Sequence, residues 1–280
     1  MKEVCLDKSL FDNALGMSCV ENLLIYIFKT QKITYKYLFF ESALSVYDIV
    51  QALSHHKNTY SDFRCINRIQ DLARNAGMIE ICLLDSPCIP TDLNEKYCCI
   101  MVNPTFIRDN YRTQLLRDDH YVLLSPSDFQ NYFCINDVPR DIRKLSLVDL
   151  YSYYGGHAIE FRIKGDFDYG RKEEYLVKLK TSMEKNLYEA VELPRDILIA
   201  RDIVGILRIL RKRLAYMISE FQFVECWKTY IDKLDEFYSR IEYMRLRNIQ
   251  NVKLINDMWI QLVENDAQNI EKTIWFLKSM

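Results

Sequence analysis

The sequence predicts an α+β protein in two domains: N-terminal helices plus an antiparallel sheet over residues 1–168, then an all-helical C-terminal domain over residues 169–280. Three observations carry this. Helical apolar spacing dominates up to Ala76, after which the pattern changes to short runs of Ile, Val, Tyr and Cys bounded by Pro, Asn, Asp and Ser. Strand signals stop near Gly170 and long helical patterns follow. Between the two regimes, Gly165, Asp166, Asp168 and Gly170 form the turn-rich stretch expected of a boundary.

The first helix opens at Cys19. Cys19, Val20, Leu23, Leu24, Ile27 and Phe28 repeat at i, i+3/i+4 and i+7, an apolar stripe broad enough for a helix with little solvent face. Ser18 followed by Glu21 fits a capping box, making Ser18 the N-cap and Cys19 the first helical residue. Tyr37, Leu38, Phe40, Leu44, Tyr47, Ile49, Val50 and Leu53 suit one or two further helices, and Ile66 to Ala76 another, closed by Gly77. His55-His56 reads as a solvated loop.

Strands are expected at 78–84, 97–102, 120–124, 131–135 and 159–163. Ser125-Pro126-Ser127-Asp128 reads as the turn of a hairpin running from His120 to Asp137. Ser146 and Asp149 cap a helix to Tyr154, which Gly155-Gly156 ends before the last strand. Beyond the boundary, helices are expected at 172–188, 197–217, 220–247 and 252–277; Phe223, Trp227, Tyr230, Leu234, Phe237, Ile241 and Met244 share one face of the third.

Composition excludes several functions. Net charge is −2, so no global basic field advertises nucleic acid. Seven glycines include no phosphate-binding loop, so nucleotide-dependent chemistry is not indicated; no cofactor is expected. Nine irregularly spaced cysteines argue for reduced thiols in a cytoplasmic protein, and without a Cys-x-x-Cys pair zinc is not expected. No charged leader with an apolar core opens the chain and no run of 18 apolar residues occurs, which disfavours secretion and membrane spanning.

The candidate chemistry is that of a cysteine nucleophile. At a helix start, free backbone N–H groups and the positive end of the macrodipole favour the thiolate, the form that attacks carbonyls. Against this stands the role of Cys19 as a small core residue. Asn13 lies six residues earlier, where its amide would join the Cys19 N–H in holding an oxyanion. The nucleophile needs a base and a group to orient it. His120 opens a strand and Asp137 ends the return strand seventeen residues on, so the hairpin brings them side by side. Asp128, at the hairpin tip, ranks below Asp137; His157 is the rival base.

This order of parts, a helix-start cysteine with an amide six residues before it, then His120 at a strand start and Asp137 on the return strand, resembles papain-like cysteine peptidases. It is most similar to bacteriocin-processing peptidases and to the family of the butirosin biosynthesis protein H N-terminal domain, and covers residues 1 to 165. Asn13 stands where the peptidases carry Gln, and Ser18-Cys19-Val20 surrounds the nucleophile in place of Asp-Cys-Gly, which turns the likeness toward the acyltransferase and condensing amide synthase type. The resemblance implies a Cys19–His120–Asp137 triad that takes an acyl group from an acyl carrier protein thioester, the phosphopantetheine arriving on the carrier, and passes it to a small amine or diamine. The alternatives are hydrolysis of the same thioacyl intermediate by a peptidase or thioesterase, and a non-catalytic carrier-binding scaffold. Carrier proteins are acidic, and Arg208, Arg211, Lys212 and Arg213 are the densest basic cluster for docking one, with a solvated helix face as the plain alternative.

Overall fold

A computed structural model of the chain describes residues 1–12, 15–16, 18–54, 68–90, 95–112, 120–128, 130–166, 172–189, 191–219, 225–249 and 252–279. It is an α+β protein with a six-stranded antiparallel sheet. The chain divides into two compact units, one of residues 1–35 with 68–167 and the other of residues 36–67 with 168–280. The second boundary follows Phe167, but the segment 36–67, read from sequence as part of the first domain, belongs to the helical unit. Its aromatic residues explain why: Phe39 packs on Tyr216, and Phe40 stacks on Tyr175 at 3.9 Å.

In the first unit, α1 (Cys19–Thr30) buries every residue from Val20 to Phe28. The short α3 (Ile69–Asn75) follows, after α2 (Val46–Ser54) in the other unit. Gly77, at φ +73°, closes α3: its N–H donates to Arg74 and that of Met78 to Ala73, a Schellman end needing a left-handed residue. Then come β1 (Ile79–Asp85), β2 (Tyr97–Val102), α4 (Pro104–Tyr111), β3 (His120–Asp128), β4 (Asn131–Asn136), β5 (Asp141–Ser146), α5 (Leu147–Tyr153) and β6 (Tyr154–Ile163). The strands lie in the order β1-β6-β2-β3-β4-β5. One face buries Cys98, Ile100, Val102, Val122, Leu124 and Cys134 against Phe106, Ile107 and Leu150 of α4 and α5. Alternation sends Cys99, Leu123 and Ile135 to the other face, and α1 packs on β2 and β3.

Three strand details depart from the sequence reading. β5 was not anticipated, because Asp141-Ile142-Arg143-Lys144 has little apolar signal; it is an edge strand, and charge on an edge blocks further pairing. β3 runs through Ser125-Pro126-Ser127 to Asp128, which pairs with Asn131, so the reversal comes later. Pro126 is tolerated because β2 pairs with β3 only as far as Leu124 and a register shift follows Pro126. β6 begins at Tyr154 and includes both glycines, where it bulges against β2 between Ile100 and Val102. A Cβ on Gly155 would meet Met101 Cε at 2.7 Å, and Gly156 sits at φ +85°.

The second unit contains only helices among its described residues: a 3₁₀ segment Lys36–Ser42, α2, α6 (Lys172–Tyr188), α7 (Ile197–Ile218), α8 (Glu225–Arg247) and α9 (Val252–Ser279). Trp227, Tyr230, Leu234, Phe237, Ile241 and Met244 form the buried stripe of α8. Among the described residues, no helix is long and apolar enough to cross a membrane.

Candidate active site

Cys19 is the first residue of α1 and partly exposed. Ser18 caps the helix: its hydroxyl accepts from the Glu21 N–H at 3.3 Å and donates to the Glu21 carboxylate. The other carboxylate oxygen accepts the Ile69 N–H at 2.9 Å, satisfying an orphan donor at the start of α3. The Cys19 N–H is itself one of the four amides a helix leaves without an intrahelical partner.

The next residue ties the same turn to the sheet. Asn22 Nδ2 donates to Asp137 Oδ2 at 2.9 Å, and both side chains are buried. Gly16 lies directly against this amide: a Cβ there would sit 2.0 Å from Asn22 Oδ1. Cys99, fully buried on β2, is pushed well up, by burial first and then by Cys98, Cys19 and Asp137, so Cys19 and Asp137 share its electrostatic neighbourhood.

His120 opens β3 and is buried. Its Nε2 meets Asn136 Oδ1 at 2.5 Å, whereas Asp137 Oδ1 stands 3.9 Å away, beyond hydrogen-bonding range. The expected partner Asp137 is thus near the imidazole, but the residue that bonds it is the preceding one. Asn136 Nδ2 donates to the Pro139 carbonyl at 2.7 Å. A carbonyl can only accept, so the amide nitrogen must face Pro139 and its oxygen must face His120. That oxygen also only accepts, so Nε2 carries the proton and Nδ1 of neutral His120 is left as the basic nitrogen. Sequence reasoning missed Asn136 because it looked for a carboxylate. The usable signal was position: a buried amide ending β4 fixes a tautomer as well as an acid does.

The other candidates lie elsewhere. His157 is half-exposed on β6 and does have an acidic partner, Asp85, directly across on β1. Asp128 is a surface residue, held down at about 2 by hydrogen bonds from Lys144, Asn131 and Gln130. Asn13 and His55-His56 lie outside the described residues. Burial pushes the Cys98 thiol up to about 12 and raises that of Cys134, so neither is a nucleophile at neutral pH. Among the described residues, no cluster of His, Cys, Asp or Glu could hold a metal ion.

The basic cluster of the second unit is divided between the interior and the surface. Arg211 and Arg213 are fully buried. Arg211 makes a two-pronged bond to Asp266 at 2.7 Å and donates to the Ser42 and Leu44 carbonyls. Arg213 lies over the Phe39 ring, and Arg208 and Lys212 share Asp235. Arg211 and Arg213 thus lie in the interior, where sequence alone suggested solvent, while Arg208 and Lys212 stay partly exposed.

Compared with models of known protein families and with curated proteins, the chain matches none.

Proposed function

We propose that the first unit is a papain-like cysteine acyltransferase of the condensing amide synthase type, with Cys19 as nucleophile, His120 as base and Asn136 as the group that orients it. The observation that carries this is the His120–Asn136 hydrogen bond, locked by the Pro139 carbonyl, at the end of a hairpin joined to the Cys19 turn through Asn22 and Asp137. Buried polar groups are costly unless they are paired, and here the pairing leaves an imidazole with a basic Nδ1 and a thiol at a helix start.

The Cys19 thiolate attacks the carbonyl of a thioester, and the oxyanion is held by the Cys19 N–H, with Asn13 as the proposed second donor. Collapse expels the donor thiol, which takes its proton from the His120 imidazolium, and leaves a thioester on Cys19. An amine then attacks, His120 accepts its proton, and Cys19 departs as thiolate. A thioester donor makes amide formation downhill without a nucleotide. The carrier-borne donor and the amine acceptor follow from the resemblance, and no docking surface is assigned to the Arg208–Arg213 stretch.

The test is intact-mass spectrometry with a carrier-bound acyl thioester, with and without a diamine. The expected result is an acyl adduct on Cys19, absent in Cys19→Ala, with amide released only when amine is present. Rapid release of free acid at every amine concentration makes the protein a thioesterase or peptidase; no adduct at all leaves the scaffold role. His120→Ala should remove turnover, and Asn136→Ala should reduce it less, since an orienting group contributes less than the base it orients.

A further inference from the structure

We infer that Asn22 and Asp137 are positioning residues, a polar strut that sets the Cys19 turn of α1 at a fixed place relative to His120. The inference rests on the active-site reading above and assigns two residues that the reaction itself does not use. Asn22 lies three residues after Cys19, one turn on, so its side chain shares a face with the nucleophile's turn. Its partner Asp137 directly follows Asn136, the residue that holds the imidazole, and comes within 3.9 Å of that ring. A 2.9 Å hydrogen bond therefore joins the element carrying the thiol to the hairpin carrying the base.

Stability does not account for the strut. α1 is otherwise apolar from Leu23 to Phe28 and wholly buried there, and Asn22 and Asp137 are 6% and 2% exposed. Desolvating an amide and a carboxylate so that they can pair is at best neutral against two apolar side chains of similar size. Asn22 Oδ1, moreover, has no hydrogen-bond partner among the described residues. The chain also leaves position 16 without a side chain where any Cβ would collide with this amide. Held geometry is what such an arrangement supplies: a nucleophile and base misplaced by about 1 Å can lose 10²-fold in rate.

The experiment measures Cys19 alkylation at fixed neutral pH by peptide mass spectrometry, together with thermal unfolding, in two double variants. Asn22→Leu/Asp137→Leu should unfold at or above the wild-type temperature yet alkylate Cys19 about 10²-fold more slowly. Asn22→Asp/Asp137→Asn, which reverses donor and acceptor at constant shape, should return the rate to within about threefold of wild type, since the same bond is restored. If the apolar pair instead loses stability while keeping its reactivity, or the folded swap stays slow, the strut is structural and the inference falls. Should the apolar pair fail to fold, the swap alone decides by the same criterion. The underlying active-site reading fails separately, when wild-type Cys19 reacts no faster than the exposed Cys5, Cys82 and Cys88.

Discussion

Each unit buries a polar network, and the two differ in how completely they are satisfied. In the helical unit, Arg211 gives two hydrogen bonds to Asp266 and two to backbone carbonyls, Asp266 also accepts from Asn186 Nδ2, and Asn186 Oδ1 takes the Val46 N–H. The donors and acceptors close on one another, and the result pins residues 42–46 to α6, α7 and α9. In the first unit, Glu21, Asn22, His120, Asn136 and Asp137 are as deeply buried, but they border a partly exposed thiol, and among the described residues their hydrogen bonds engage one imidazole nitrogen, Nε2. A closed network fixes a fold; one that leaves reactive groups over fixes a site.

The largest effect expected from breaking this contrast is in the closed network. Asp266→Ala leaves the Arg211 guanidinium fully buried and unpaired, which costs about 3–5 kcal/mol and should lower the urea midpoint of the helical unit sharply. Arg211→Met with Asp266→Leu, which removes both charges together, should cost far less. An unchanged midpoint in Asp266→Ala would mean that water reaches Arg211. Next comes Gly16→Ala. Its methyl would meet Asn22 Oδ1 at 2.0 Å and the Asn22 backbone nitrogen at 3.2 Å; the helix backbone cannot yield, so the side chain must swing off Asp137. About 1–3 kcal/mol of stability should be lost, and Cys19 alkylation should slow as well. Cys19→Ala is smaller still in stability, about 1 kcal/mol or less for one partly exposed sulfur, while the proposed acyl transfer should disappear. That split between folding and function is the signature of the open network.

How far the sequence revealed these networks depends on how local their signals are. Ser18, Glu21 and the apolar run after Cys19 announce α1 within one turn, because capping and helical periodicity are short-range. The Schellman end at Gly77 is equally local. His120 and the end of β4 come from a hairpin, where a turn sets the register, so spacing brings Asp137 near the imidazole; whether Asp137 or Asn136 bonds the ring turned on side-chain direction at a strand end, which spacing does not fix. Nothing local says that Arg211 is internal, since its partners Asp266, Ser42 and Leu44 lie 55, 169 and 167 residues away in sequence. The segment 36–67 was misassigned for the same reason: its helical pattern shows that it packs, not what it packs on.

The smallest expected effect tests the surface side of the comparison. Arg208 and Lys212 both reach Asp235, and Arg208 also lies over the Tyr238 ring at 4.4 Å. These groups are partly solvated, so water and salt screen the pairs, and Lys212→Ala should cost no more than about 1 kcal/mol with Arg208 still in place. Because Asp235 engages both cations, the variant should also use the proposed carrier-bound acyl donor with the wild-type KM. A tenfold rise in KM with unchanged thermal stability would instead make Lys212 a docking residue, and the line drawn here between cations that build the helical unit and cations that meet a partner would have to move.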